Sequence, residues 1–266
     1  MRQSNYTTGW LPLLILFLLL SFKGYGQIRG LIQLLSMEQR DGYSIPMAHP
    51  ALLGFYPHSE FAMMGLQQYG LFSLNSIGVM TTWSKTPKSF QFIEMEYFGF
   101  EQWKRWQLNL RSSRQITPNF YAALAIVYKG QTVEESPVSH TANADLFFCL
   151  RAGERLYFTS EIRHLLPWYT LSSKEKKGWI AIRSYYWISP NIGIVGGISL
   201  ARGIGVMAGL GWQNNKTALA LRLYPVSGRF VLGVNQVIIT NISLITEFEF
   251  HPVLGISTVG GICWSF

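Results

Sequence analysis

The chain has 266 residues, 48% of them apolar and 15% aromatic but only 14% charged, with a formal net charge of +8. Past Gln27 no apolar stretch reaches the roughly 18 residues of a spanning helix, which excludes a helical inner-membrane protein. Two cysteines, Cys149 and Cys263, exclude a disulfide framework and a zinc-type cluster, and the scattered cations argue against nucleic acid as a partner.

The first segment reads as a targeting signal. Met1 to Trp10 is polar with one cation, Arg2, and Leu11 to Phe22 is an almost unbroken apolar run. Small residues, Gly24 and Gly26, precede Gln27, so cleavage is expected after Gly26. The run is short for a membrane span of about 20 residues, which sets aside the alternative of an uncleaved anchor. Three parts follow from this: a signal peptide at 1–26, a plug segment at 27–58 and a β domain at 59–266.

In the second part, Ile28, Leu31, Ile32 and Leu35 recur at helical spacing among Arg29, Glu38, Arg40 and Asp41. That pattern fits a short amphipathic helix lying in a barrel mouth as a plug; the alternative is a loose tail. Ala48-His49-Pro50-Ala51-Leu52-Leu53-Gly54 then forms a turn-rich lead-in, because Pro50 lacks a donor and Gly54 relaxes the backbone.

From Glu60 onward, segments of about ten residues alternate in polarity and are separated by turn chemistry. Their cores are 60–68, 71–82, 89–98, 102–112, 119–129, 142–151 and 155–164, then 179–188, 191–200, 204–213, 216–224, 229–237, 239–249 and 254–266. The reading is all-β: an antiparallel transmembrane barrel of about fourteen strands with an even count. The short link at 189–191 is assigned to the periplasmic end. The short links at 213–216 and 240–241 and the long polar ones at 130–141 and 165–178 are assigned to the extracellular end.

Alternation also sorts the charges. Trp103, Arg105, Gln107, Asn109 and Arg111 share one face of their strand, against Trp106, Leu108 and Leu110 on the other. Extended around the ring, the inward set holds six carboxylates, Glu94, Glu96, Asp145, Glu161, Glu247 and Glu249, and six arginines, Arg105, Arg111, Arg151, Arg163, Arg183 and Arg222. Buried charge must be paired or hydrated, so a wall-to-wall ion-pair network filling the lumen is expected; a selectivity filter or active site is the alternative.

The last stretch, Leu254 to Phe266, puts Trp264, Ile262, Ile256 and Leu254 on one face and small or polar residues on the other. A soluble sandwich would show the same alternation; the targeting segment, the strand number and the terminal aromatic favour the membrane. Trp264 and Phe266 are therefore read as an assembly signal for the barrel assembly machinery, with outer-membrane lipid as the surrounding partner.

No catalytic constellation emerges. Gly203-Ile204-Gly205-Val206-Met207-Ala208 sits in a hairpin pattern and opens no helix, and Gly255-Ile256-Ser257-Thr258-Val259 lacks the second glycine of a nucleophile elbow. The five histidines never reach metal-ligand spacing, so no enzyme, metal or cofactor is expected.

The Ala-His-Pro-Ala-Leu-Leu-Gly segment, the strand number and the terminal Phe266 together resemble the FadL-like barrels, particularly the PorV and PorQ group of Bacteroidetes. Arg114-Gln-Ile-Thr-Pro-Asn-Phe-Tyr-Ala-Ala-Leu and Ile188-Ser-Pro-Asn-Ile-Gly-Ile are similar to periplasmic turns of that group. The family's usual Asn-Pro-Ala is here His49-Pro50-Ala51, which departs from its transport pattern. The resemblance implies a non-enzymatic scaffold or shuttle among the components of a type IX-like secretion system. The alternatives are a passive conduit for a hydrophobic small molecule and a soluble periplasmic β-protein.

Overall fold

The computed structural model describes residues 29–37, 48–55, 59–71, 74–86, 88–100, 102–134, 137–165, 178–200 and 203–266. The targeting segment, its cleavage site and Glu38, Arg40 and Asp41 lie outside them. Among the described residues two helices come first: α1 (Arg29–Ser36) and the single turn α2 (Pro50–Leu53). Fourteen strands follow: β1 (Glu60–Gln67), β2 (Asn75–Thr86), β3 (Ser89–Phe100), β4 (Trp103–Thr117), β5 (Phe120–Val133), β6 (Ser139–Arg151) and β7 (Leu156–Arg163). The ring continues with β8 (Trp179–Ser189), β9 (Ile192–Leu200), β10 (Ile204–Gln213), β11 (Thr217–Tyr224), β12 (Arg229–Ile239), β13 (Ile242–His251) and β14 (Gly255–Ser265).

Every strand pairs antiparallel with its neighbours in sequence, and β1 closes on β14 to complete the barrel. Phe61 faces Trp264 and Ala62 faces Cys263 across that seam, and the Phe266 amide donates to the Ser59 carbonyl at 3.1 Å. Closure leaves no edge strand, so the backbone groups of the ladder satisfy one another without water. The two-residue period then sends side chains outward or inward. Ile77, Met95, Ile182, Leu210 and Ile262 are exposed on the outside, while Ala62, Phe92, Tyr185 and Cys263 are buried inside. The outside is thus an apolar belt, as a lipid-facing barrel requires.

The links assigned by sequence need one correction. In an antiparallel ring every link into an odd-numbered strand returns to the end where the chain entered. The links at 214–216 and 240–241 therefore lie at the same end as 190–191, with the start of β1 and the end of β14. This is the short-turn, periplasmic end of such a barrel. Polar sequence also concealed strand in the link expected at 130–141, because Lys129↔Thr141, Gly130↔His140 and Gln131↔Ser139 continue the ladder. Conversely, β2 starts at Asn75 rather than at 71, since Tyr69 and Gly70 turn the chain with φ of 51° and 68°.

The wall is uneven in height. β4 and β5 have 15 and 14 residues, whereas β7 and β11 have 8. About 9–11 residues cross the membrane, so the β4–β5 side rises beyond the bilayer at the long-loop end.

Candidate functional site: the plugged lumen

The inward residues change character with height. From the short-turn end upward, β3 presents Phe90 and Phe92 and then Glu94 and Glu96. In the same upward direction β6 presents Cys149 and Phe147 and then Asp145 and Asn143, and β8 presents Trp187 and Tyr185 and then Arg183. On β11, Ala218 and Ala220 precede Arg222; on β13, Ile245 precedes Glu247 and Glu249. The lumen therefore has an apolar lower storey and a charged upper one.

The helices fill the lower storey. Helix α1 packs on β10, β11 and β12, with Leu31, Leu34 and Leu35 buried. The wall opposite is built of small residues that let the leucines approach. A Cβ at Gly211 would stand 2.2 Å from Leu31 Cδ1, and one at Gly233 would stand 3.0 Å from Leu34 Cδ2. Helix α2 packs on β4 to β7. Below it Phe55 meets the rings of Tyr121 and Tyr157 at 4.6 and 5.4 Å. Gln33, Met37, Met64, Met80 and Phe92 border a void of about 10 Å³ between plug and wall, room for one water at most.

The upper storey holds the charges as pairs along and between strands. Arg111 lies 2.8 Å from Glu94, which also accepts from Asn109 Nδ2 at 2.6 Å. Arg105 lies 3.9 Å from Glu96. Glu161 receives Arg163 at 2.9 Å and Arg183 as well, and the two guanidiniums lie 4.1 and 5.7 Å from the Trp179 ring centre. Glu247 reaches past Gly233 on the intervening strand to Arg222 at 2.6 Å. Arg229, which begins β12 with inward parity but was not among the charges expected in the lumen, bonds Glu249 at 2.8 Å over the Tyr224 ring. Asp145 accepts from the backbone amide of His164 at 3.0 Å. Arg151 stands apart. It lies low on β6, bonds Asn119 Oδ1 at 3.1 Å and covers the Phe55 ring at 5.5 Å. These six pairs join positions on one strand or on strands one or two apart. They run along the wall, because a pleated ladder puts diagonal partners within reach.

His49 links the two storeys; the sequence placed it in a turn-rich lead-in and showed no metal spacing around it, but gave it no role. It caps α2, its Nδ1 accepting the Leu52 amide at 3.3 Å, as an Asn or Asp cap would. Its ring is buried edge-on to Phe147 at 5.3 Å, near Glu161, Arg183 and Arg163. Burial holds its pKa down at about 4; Glu161 pulls upward, and the arginines push it lower. The ring is neutral at pH 7, which the Nδ1 acceptor role requires.

Trp264 and Phe266 are exposed on the outside at the short-turn end, their rings 6.2 Å apart. Among the described residues no group of three or more histidine, cysteine or acidic side chains is placed to hold a metal ion.

This is a closed fourteen-stranded antiparallel barrel of the outer-membrane type. No family model matches the sequence, and no curated protein matches it. Solved structures do match in fold. The toluene transporter TbuX of Ralstonia pickettii is 7% identical with a TM-score of 0.63, over 82% of this chain and 92% of that one. The toluene transporter TodX of Pseudomonas putida is 9% identical with a TM-score of 0.57, over 92% and 98%. The outer membrane protein Omp33 of Acinetobacter baumannii is 10% identical with a TM-score of 0.54, over 79% and 99%. The likeness shows the fold, a closed barrel of the outer-membrane type. Nothing in it points to the narrower PorV and PorQ group or to a secretion system.

Proposed function

We propose that the protein is a passive, plug-gated conduit for a hydrophobic small molecule across the outer membrane. The observation that carries this is the construction of the lower storey. Its plug is held by side-chain packing of Leu31, Leu34 and Leu52 against an apolar, methionine-bearing wall, outside the hydrogen-bonded ladder of the barrel. A plug seated this way can leave without breaking the wall, and the wall it uncovers suits an apolar solute. The neighbours named as toluene transporters support the solute class. The test is uptake of labelled toluene by cells carrying the protein in an outer membrane otherwise lacking hydrocarbon channels. Accumulation above that of cells without the protein is expected, and equal accumulation would overturn the reading.

A second reading, a non-conducting scaffold for exported proteins, is favoured by the tight seat of the helices in the lower storey, where the void between plug and wall is only about 10 Å³. It requires that exported proteins be recovered with the barrel from detergent-solubilised outer membranes and that toluene uptake not depend on it.

A further inference from the structure

Within the described part of the plug, His49 is a titratable side chain that meets the charged storey. His49 is buried, and its backbone amide donates to Ser36 Oγ of the α1 terminus at 3.4 Å. Its Nδ1 is committed as the acceptor that caps α2. The elements around α2 bring Arg111 on β4, Tyr121 on β5, Asp145 and Cys149 on β6, and Tyr157, Glu161 and Arg163 on β7; Arg183 follows on β8. Of these, Glu161, Arg183 and Arg163 act on the imidazole electrostatically, and the single carboxylate is already shared between the two arginines. A proton on Nδ1 would remove the cap's acceptor and set a third cation beside that pair.

We infer that His49 is an acid-release latch: its neutral ring holds α2 on the wall, and its protonation frees the plug. The inference rests on the plug being displaceable, as the conduit reading has it, but not on what the barrel carries. The direction follows from linkage. The docked ring resists protonation down to a pH of about 4, whereas an unburied histidine takes a proton near pH 6.5. Between those values the undocked state binds more protons. Docking is therefore fully favoured well above pH 6.5 and weakens by up to roughly tenfold per unit as pH falls, about 160-fold by pH 4, toward a limit of about 300-fold below it.

The plug covers a natural reporter, since Cys149 is fully buried in the apolar cluster that includes α2. Purified barrel in vesicles would be treated with 4,4′-dithiodipyridine, which reacts with thiols in acid, from pH 7.5 to pH 3.5. Labelling of Cys149 would be located by mass spectrometry and compared at each pH with His49→Asn, which can cap a helix but does not titrate. The wild-type protein is expected to gain at least tenfold in labelling rate over His49→Asn between pH 6.5 and 4, with the two equal at pH 7.5. If the two label alike throughout, or if His49→Asn opens at the same pH, the latch is wrong. His49→Gln serves as the comparison if His49→Asn does not reach the heat-modifiable folded form. Labelling reads plug release alone, so a latch that works in a barrel without toluene uptake would overturn the conduit and leave the latch standing.

Discussion

At the scale of single residues, the two best-formed carboxylate sites of the upper storey differ in redundancy. Glu161 is shared between Arg163 and Arg183, whereas Arg222 is the ion-pair partner recorded for Glu247 among the described residues. Glu247 is 2% exposed, so removing Arg222 leaves a carboxylate uncompensated away from bulk water. Arg222→Ala is expected to destabilise the barrel by about 3–5 kcal/mol, read as a shift of the urea unfolding curve in lipid vesicles. Arg183→Ala is expected to cost less, because Arg163 still holds Glu161. Joint replacement, Arg222→Met with Glu247→Leu, should recover most of the loss, since an apolar pair of similar volume carries no desolvation cost. A double variant as unstable as the single one would show that the charges do more than satisfy each other.

Among elements, α1 and β14 make separable predictions. Helix α1 is too short to be stable alone in water and depends on its seat. Gly211→Val would drive a branched side chain into Leu31 and toward the Leu219 carbonyl, which lies 3.2 Å from a Cβ at that position. The expected result is a plug that trypsin cuts readily in a barrel that keeps its heat-modifiable gel mobility. Loss of that mobility would mean that α1 and the wall fold as one unit. Strand β14 carries the opposite dependence. Its terminal residues pair Trp264 with Phe61 and Ile242, and Phe266 with Ser59 through the backbone. Deleting Trp264 to Phe266 is expected to lower outer-membrane levels and to leave degradation products in the periplasm. Normal insertion of that truncation would remove Trp264 and Phe266 from any role in assembly.

For the whole molecule, closure and filling together set the behaviour in a membrane. A ring without edges resists detergent until heated, so unboiled protein should migrate differently from boiled protein on a denaturing gel. With the plug seated and the charges paired, planar bilayers are expected to show no steady ion conductance at pH 7. Removing residues 27–55 should give stable single-channel steps. Steps from the intact protein at neutral pH would contradict a plug that closes the lumen, and silence from the truncated one would mean that the wall itself closes it.

The sequence by itself determined the wall. Fourteen alternating segments, the lipid-facing residues of β14 and the inward parity of Glu94, Arg105 and Arg183 were all legible, because a two-residue period assigns faces without reference to any other strand. Turn chemistry likewise marked where hairpins reverse. Strand ends were less legible at Lys129 to Thr141. Beyond the bilayer a strand no longer needs apolar outer residues, so polarity there looks like a loop. What only the tertiary structure decided is what meets what inside the ring. Parity says that Glu247 points inward but not that it passes Gly233 to reach Arg222. Helical spacing offered α1 as a plug or a tail, and only the niches at Gly211 and Gly233 gave it a seat. His49 looked like a turn residue until the fold placed its ring on Phe147 beside Glu161 and its two arginines. Local period is a property of one segment; a lumen exists only after the last strand has closed on the first, and its contacts are set by that closure.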